Sequence, residues 1–310
     1  MNPPRRPPPD PVGKAAIRWL DEQTGRAWLA SGTDAFRLAE ARGLWFERFG
    51  AAGLLSSQTR IVPSEFLQAV LAHPLADGIS NIYHRVLVHA PGQENAPSLV
   101  RGDPKKARFL AREDGLAYWV DFSAGYSCGL FLDQRVNRSM VRESRPGRLL
   151  NCFAYTCSFS VAAASAGFLT TSVDLSKRSL QRGHENFSTN DLPDKDHRFI
   201  SEDVFRYLPR LSRRGEHFDA ILLDPPTFSR SKTGEVFRVE ADMARLVELA
   251  LECAAPRARI LISSNCSRLS LHAIKSLVQA VCPCANNLFS PPHCQGITLG
   301  ATTLWFSTPE

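Results

Sequence analysis

Hydrophobic and polar residues alternate in a regular rhythm over the second half of the chain. Short apolar runs predict strands at Arg148–Phe153, Thr170–Val173, Arg198–Ser201, Phe218–Leu223, Arg259–Ser264 and Thr302–Phe306. Intervening stretches predict helices at Ser158–Ala166, Ser176–Asn190, Val239–Cys253 and Ser270–Val281. Apolar strands separated by helices imply a mostly parallel sheet covered on both faces. Before this region the pattern is mixed, with helical stretches and short strands. The expected organisation is a proline-rich, disordered tail over 1–12, a small α/β domain over 13–140 and a larger α/β domain over 141–310.

In such a sheet, ligands lie beyond the carboxyl ends of the strands. Asp174, Asp203 and Asp224 each follow an apolar strand, which places three carboxylates on one rim. One aspartate at a strand end is ordinarily a cap; three in succession fit a nucleoside cofactor. The loop NCFAYTCSFS (Asn151–Ser160) occupies the place of a nucleotide-binding turn, yet contains no glycine. The G-x-G-x-x-G fingerprint is therefore absent, which argues against a nicotinamide-dependent dehydrogenase. The strand FDAILL leads directly into DPPTFSRSK (Asp224–Lys232). Two prolines stiffen this turn and remove two backbone donors. It presents Asp224 and a flat ledge on which a planar base can be held.

Composition adds three constraints. The formal charge of +6 permits an anionic partner such as nucleic acid without establishing one. No apolar run reaches the roughly 18 residues of a membrane span, and MNPPRRPPPDP has no apolar stretch behind its charges, so it is not a secretory signal. Eight cysteines without such a signal read as reduced thiols in the cytoplasm. Cys282, Cys284 and Cys294 lack the paired C-x2-C spacing of a zinc site, so no metal is expected.

Four segments together carry a resemblance: GLFLDQRVNR (Gly129–Arg138), LLNCFAYTCSFSVAAASAG (Leu149–Gly167), VDLS (Val173–Ser176) and FDAILLDPPTFSRSK (Phe218–Lys232). They resemble the S-adenosylmethionine (SAM)-dependent large-subunit ribosomal RNA methyltransferases. That group includes the RlmI-type cytosine-C5 enzymes and the RlmK-type guanine-N7 domain. TDAFRL (Thr33–Leu38) looks like the start of the group's small α/β domain, which gives residues 13–140 a role in RNA contact. The resemblance implies a class I, Rossmann-like sheet with an antiparallel last strand, SAM as cofactor and ribosomal RNA as partner. It also implies residue roles. Phe131, Asp133, Gln134 and Arg135 match the segment that folds over the cofactor. Asn151, Phe153, Ala154 and Tyr155 match the loop around its methionine moiety. Asp174 with Leu175 matches the ribose site, and Asp203 with Val204 the adenine site. Asp224, Pro225, Pro226 and Phe228 match the loop joining cofactor to base.

The chain departs from the group where Cys157 replaces a usual glycine; a cysteine fits there with negative φ. Cys266, in SSNCSRLS, leaves the methylated atom open. Cytosine C5 needs a thiolate to add at C6 first, and Cys266 fits that role if Arg268 lowers its pKa. Guanine N7 already has a lone pair and needs only positioning, and the guanine-N7 relatives match DPPTFSRSK more closely. Arg210, Arg213, Arg214, Arg230 and Lys232 are candidates for phosphate contacts. A small-molecule methyltransferase and a non-catalytic RNA-binding protein on the same fold are the alternatives.

Overall fold

A contact boundary near Gly115–Gly129 divides the chain. The computed structural model describes residues 17–87, 96–230, 236–297 and 300–310. The tail at 1–12 lies outside the described residues, as do Lys232 and the side chain of Arg230. One compact unit runs to Gly115 and includes Val120–Cys128; the other holds Leu116–Trp119 and Gly129–Glu310.

The first unit is built on a six-stranded sheet ordered as in the sequence, from Arg18–Trp19 to Ser98–Arg101. Its pairings are antiparallel except that of Ala52–Ser57 with Asn81–Val86, which the helix Ser64–Leu71 makes possible as a crossover. The strands Ala35–Ala41 and Leu44–Phe49 send Phe36, Leu38 and Phe46 into a core with Phe66 and Val70 of that helix. The opposite face carries charge: Arg37 bonds Glu47 at 2.8 Å, and Arg85 approaches Glu47 at 3.4 Å.

The second unit is a seven-stranded sheet. Its strands are β1 (Arg148–Cys152), β2 (Leu169–Asp174), β3 (Arg198–Ser201), β4 (Phe218–Leu223), β5 (Ala254–Ser264), β6 (Asn286–Phe289) and β7 (Thr302–Ser307). Their spatial order is β3-β2-β1-β4-β5-β7-β6. The first five are parallel, and β7 runs antiparallel to both β5 and β6. The order reverses between β1 and β4, which is where an α/β sheet opens a crevice for ligand.

Among the described residues, six α-helices cover the sheet: α1 (Arg135–Arg142), α2 (Ser158–Ser165), α3 (Lys177–Thr189), α4 (Val204–Arg213), α5 (Val239–Leu251) and α6 (Leu271–Val281). Strand alternation sorts the core into two layers. Leu150, Ile221, Leu223, Ile260 and Ile262 face α4, α5 and α6. Leu149, Ala220, Leu222 and Leu261 face Val141 of α1 and Phe159 and Ala163 of α2.

Residues 129–140 belong to this second unit, so the division lies earlier than residue 140. The reason is packing: Trp305 of β7 donates to Asn137 Oδ1 at 2.8 Å, and Gln134 donates to Ser263 of β5 at 2.8 Å. Leu116–Trp119 joins it too, because α3 and the Asn190 that caps its end offer amide side chains as a substitute strand. Asn190 accepts from Ala117 N and donates to Ala117 O, and Asn186 accepts from Trp119 N. Among the described residues, no helix is long and apolar enough to cross a membrane.

Candidate active site

The carboxyl ends of β1, β2 and β4 open onto a cleft of about 550 Å³. Its floor is the loop after β1. There Phe153, Tyr155 and Cys157 all adopt left-handed backbone, with φ of 60°, 48° and 60°. Each such residue costs about 1–2 kcal/mol, and strain of this kind persists only where surrounding contacts hold it. Ala154 N donates to Val173 O at 3.0 Å, and Tyr155 N to Asp174 Oδ2 at 2.8 Å. Cys157 caps α2 through its backbone, with Val161 N donating to its carbonyl at 2.8 Å. The φ of Cys157 is positive, so the negative φ with which a cysteine fits there is not what the chain adopts. Its buried thiol is pushed up to about 12, chiefly by burial and partly by the Asp174 charge, against a hydrogen bond with Ser172. It is a space-filling group, not a nucleophile.

Two of the three rim acids are held by backbone donors. Asp174 ends β2 and accepts from Tyr155 N and Ser176 N, both at 2.8 Å. Burial nevertheless raises its pKa, the two backbone bonds opposing. Asp203 caps α4, accepting from Phe205 N at 2.8 Å. Asn151 faces inward, donating to Ser160 Oγ at 2.9 Å, and Ser160 meets Ser172 at 2.8 Å. This buried polar chain ties β1, α2 and β2 beneath the loop.

Asp224 stands at the end of β4. Burial pushes its carboxyl up to about 6; the hydrogen bond with Ser263 lowers it, the Asp133 charge raises it and Arg138 lowers it. Behind it runs a second polar chain: Trp305 to Asn137, Asn137 to Gln134 Oε1 at 2.9 Å, and Gln134 to Ser263 Oγ at 2.8 Å. Each link fixes the next, so the group beside Asp224 has little freedom. Asp133 accepts from Ala301 N at 3.0 Å, which anchors the segment before α1.

Of the residues singled out in the sequence, Phe131, Asp133, Gln134, Asn151, Phe153, Ala154, Tyr155, Asp174, Leu175, Asp203, Val204, Asp224, Pro225 and Pro226 line this cleft. Arg135 does not; it opens α1. Phe228 and Cys266 do not line it either; they line a neighbouring recess. In the short hairpin of Phe228–Arg230 with Val236–Arg238, Ser229 and Phe237 line the cleft while Phe228 and Arg238 line the recess, as side chains alternate along a strand. Cys266 donates to Glu240 Oε1 at 3.3 Å. Arg268 approaches that same oxygen at 3.4 Å, so it pairs with the carboxylate instead of the sulfur.

The basic candidates behave similarly. Arg210 pairs with Glu202, and Arg213 bonds Pro209 O. Arg213 and Arg214 end α4, whose first turn is at the cleft. Ten residues at 1.5 Å each put them about 15 Å away.

A family model described as S-adenosylmethionine-dependent methyltransferase matches residues 65–271 of the chain. The chain belongs to the SAM-dependent methyltransferase family. This methyltransferase is 37% identical over 268 residues to ribosomal RNA large subunit methyltransferase K/L of Chromohalobacter salexigens, an alignment covering 84% of this chain and 36% of that protein. It is 34% identical over 230 residues to ribosomal RNA large subunit methyltransferase I of Klebsiella pneumoniae, covering 70% and 57%. The chain spans about half, or less, of the length of the first curated relatives it matches. The crystal structure of SMU.776 complexed with SAH superposes with a TM-score of 0.78 at 26% identity, covering 92% of this chain and 79% of that one.

The methyltransferase cleft also has walls that the sequence did not reveal. Phe205 and Phe237 close one side, their rings 5.5 Å apart, and Phe153 stands 5.9 Å from Phe237. Asn265 lines both the cleft and the recess that holds Cys266. An aromatic two residues after a strand-end aspartate was a usable signal for Phe205. Phe237 had none, because it arrives through the hairpin.

Proposed function

We propose that this methyltransferase moves the methyl group of SAM to a base of large-subunit ribosomal RNA, at guanine N7. The observation that carries the reading is one cleft walled by Asp174 and by the Asp224–Pro225–Pro226 turn, from the strands on either side of β1. The relatives named for ribosomal RNA and the net charge of +6 supply the substrate class.

The residues present fit a nucleoside. Asp174 is a partly desolvated carboxylate already oriented by two backbone donors, and ribose hydroxyls are the donors that favour its charged form. Phe205 and Phe237 offer apolar faces for an adenine ring, and Asp203 accepts at its edge. Phe131 and Tyr155, with rings 5.6 Å apart, flank the methionine end. SAM supplies an electrophilic methyl on a sulfonium.

Guanine N7 attacks with a lone pair and loses no proton, so alignment is the main requirement. The base becomes cationic as the bond forms. Asp224, ionised above about pH 6, stabilises that charge from a fixed position. Pro225 and Pro226 hold the turn rigid beside it. Asn265, not Cys266, faces the cleft, which favours direct transfer over a covalent cysteine adduct.

Calorimetric titration with SAM and SAH, followed by transfer from labelled SAM to unmodified 23S RNA, tests the reading. Saturable binding and label in RNA are expected. No binding at millimolar SAM would reject an enzyme, and label only in small metabolites would reject the RNA substrate.

A further inference from the structure

Asp224 is reached from behind by a chain of four buried side chains, and every link in it has a direction. Trp305 Nε1 donates to Asn137 Oδ1 at 2.8 Å, Asn137 Nδ2 to Gln134 Oε1 at 2.9 Å, and Gln134 Nε2 to Ser263 Oγ at 2.8 Å. Ser263 closes the chain with its hydrogen bond to Asp224. All four residues are at most 2% exposed, so water competes little for these groups.

The direction follows from the chemistry of the first member. An indole N–H can only donate. Asn137 therefore presents its oxygen to Trp305, which leaves its amino group for Gln134. Gln134 then accepts with Oε1 and donates with Nε2. Ser263 Oγ accepts from Gln134 and has one proton left to give, which goes to the carboxylate. Without the indole N–H, nothing holds the two amides in this sense, because the two ends of an amide are nearly the same shape. A reversed chain offers Ser263 an amide oxygen, and its proton leaves Asp224. Trp305 also packs among Leu149, Phe159 and Leu261. Filling that layer needs a large ring, not a donor.

We propose that Trp305 is a positioning residue for Asp224: its indole N–H sets the direction of the chain and commits the Ser263 proton to the carboxylate. The proposal rests on the reading of Asp224 given above, as the ionised group beside the base. Burial raises the pKa of Asp224 most, to about 6; the Ser263 bond opposes it, the Asp133 charge adds to it and Arg138 opposes it. Asp133 is held by Ala301 N, and Arg138 donates to Phe131 O at 2.8 Å. Neither of those contacts passes through Trp305.

The test reads the Asp224 carboxyl directly, by carbon-13 NMR of the full chain labelled at aspartate Cγ, with Asp224→Asn assigning the resonance. The wild type titrates at about pH 6. Trp305→Phe raises that midpoint by about one unit, the effect of losing a hydrogen bond to the charged form. Ser263→Ala removes the last donor and raises it at least as far. In the Ser263→Ala background Trp305→Phe moves the midpoint no further, because the link through which it acts is gone. Asn137→Leu breaks the chain from α1 and gives the same rise, which keeps the test available should Trp305→Phe not fold. A Trp305 that only fills space would lower the unfolding temperature when replaced and leave the titration where it is. That result, or an equal shift in both backgrounds, would overturn the proposal. Methyl transfer is measured on the same variants. An acid limb of transfer that does not follow the Asp224 midpoint removes the role of Asp224 in transfer and leaves the chain standing.

Discussion

Cys157 occupies the space that a side chain on Gly183 would fill. A Cβ built on Gly183 of α3 would stand 2.5 Å from Cys157 Sγ and 3.0 Å from its Cβ. The pair explains how the loop after β1 finds room for a cysteine at φ 60°: the neighbouring helix gives up its side chain. Overpacking costs about 1–3 kcal/mol, whereas alanine gains about 1 kcal/mol over glycine in a helix. Gly183→Ala therefore destabilises the native protein but stabilises the Cys157→Gly background. Urea unfolding of the four-member cycle checks this change of sign. Additive effects would show that the two residues do not share space.

Burial of the Asp224 carboxyl sets a pH dependence of stability. Its folded pKa, about 6, lies above that of an unfolded aspartate. The stability of the neutral form is complete below the unfolded pKa and is lost as pH rises through 6. A shift of this size corresponds to about 3 kcal/mol. Asp224→Asn, always neutral, is thus more stable than wild type at pH 8 by about 1–3 kcal/mol and equal to it at pH 4. Methyl transfer by the variant falls tenfold or more, and wild-type transfer declines below pH 6. An unchanged stability difference from pH 4 to 8 would contradict the burial argument.

Asp174→Ala removes the acceptor proposed for both ribose hydroxyls. Two hydrogen bonds to a charged group are worth about 3–6 kcal/mol together. SAM affinity measured by calorimetry is expected to fall at least 100-fold, with Asp174→Asn intermediate. An affinity within threefold of wild type would place the ribose elsewhere.

Cys266→Ala is expected to retain transfer within about threefold, because its thiol faces Glu240 in the second recess. RNA carrying 5-fluorocytosine should form no stable adduct with the wild type. A trapped covalent complex, lost in the variant, would restore the cytosine-C5 route.

Much of this was legible in the sequence because strands β1, β4 and β5 contain apolar runs that end in polar rims. Asp174, Asp203 and Asp224 marked the carboxyl edge before any fold was known. The helix α4 was missed because Pro209 interrupts it, although Val204, Tyr207, Leu208 and Leu211 keep helical spacing and are all buried. Strand β6 reads Asn-Asn-Leu-Phe; it is a largely exposed edge strand that opens on two asparagines, a residue depleted in strands. The resemblance placed Phe228 on the loop joining cofactor to base, and Cys266 was a candidate thiolate because it follows the fifth strand. The hairpin beyond the prolines, which sequence pattern does not encode, turns Phe228 to the neighbouring recess, and the loop after β5 puts Asn265 in the cleft and Cys266 in the recess alone. The left-handed run Phe153–Tyr155–Cys157 was equally hidden, since no glycine announces it.

Mass-spectrometric mapping of 23S RNA after incubation with isotope-labelled SAM tests whether the Asp174–Asp224 cleft transfers a methyl group to a ribosomal RNA base. One labelled 7-methylguanosine, absent when Asp224→Asn replaces the wild type, is the predicted result. Label on cytosine C5, or no label in RNA from a protein that binds SAM, would contradict it.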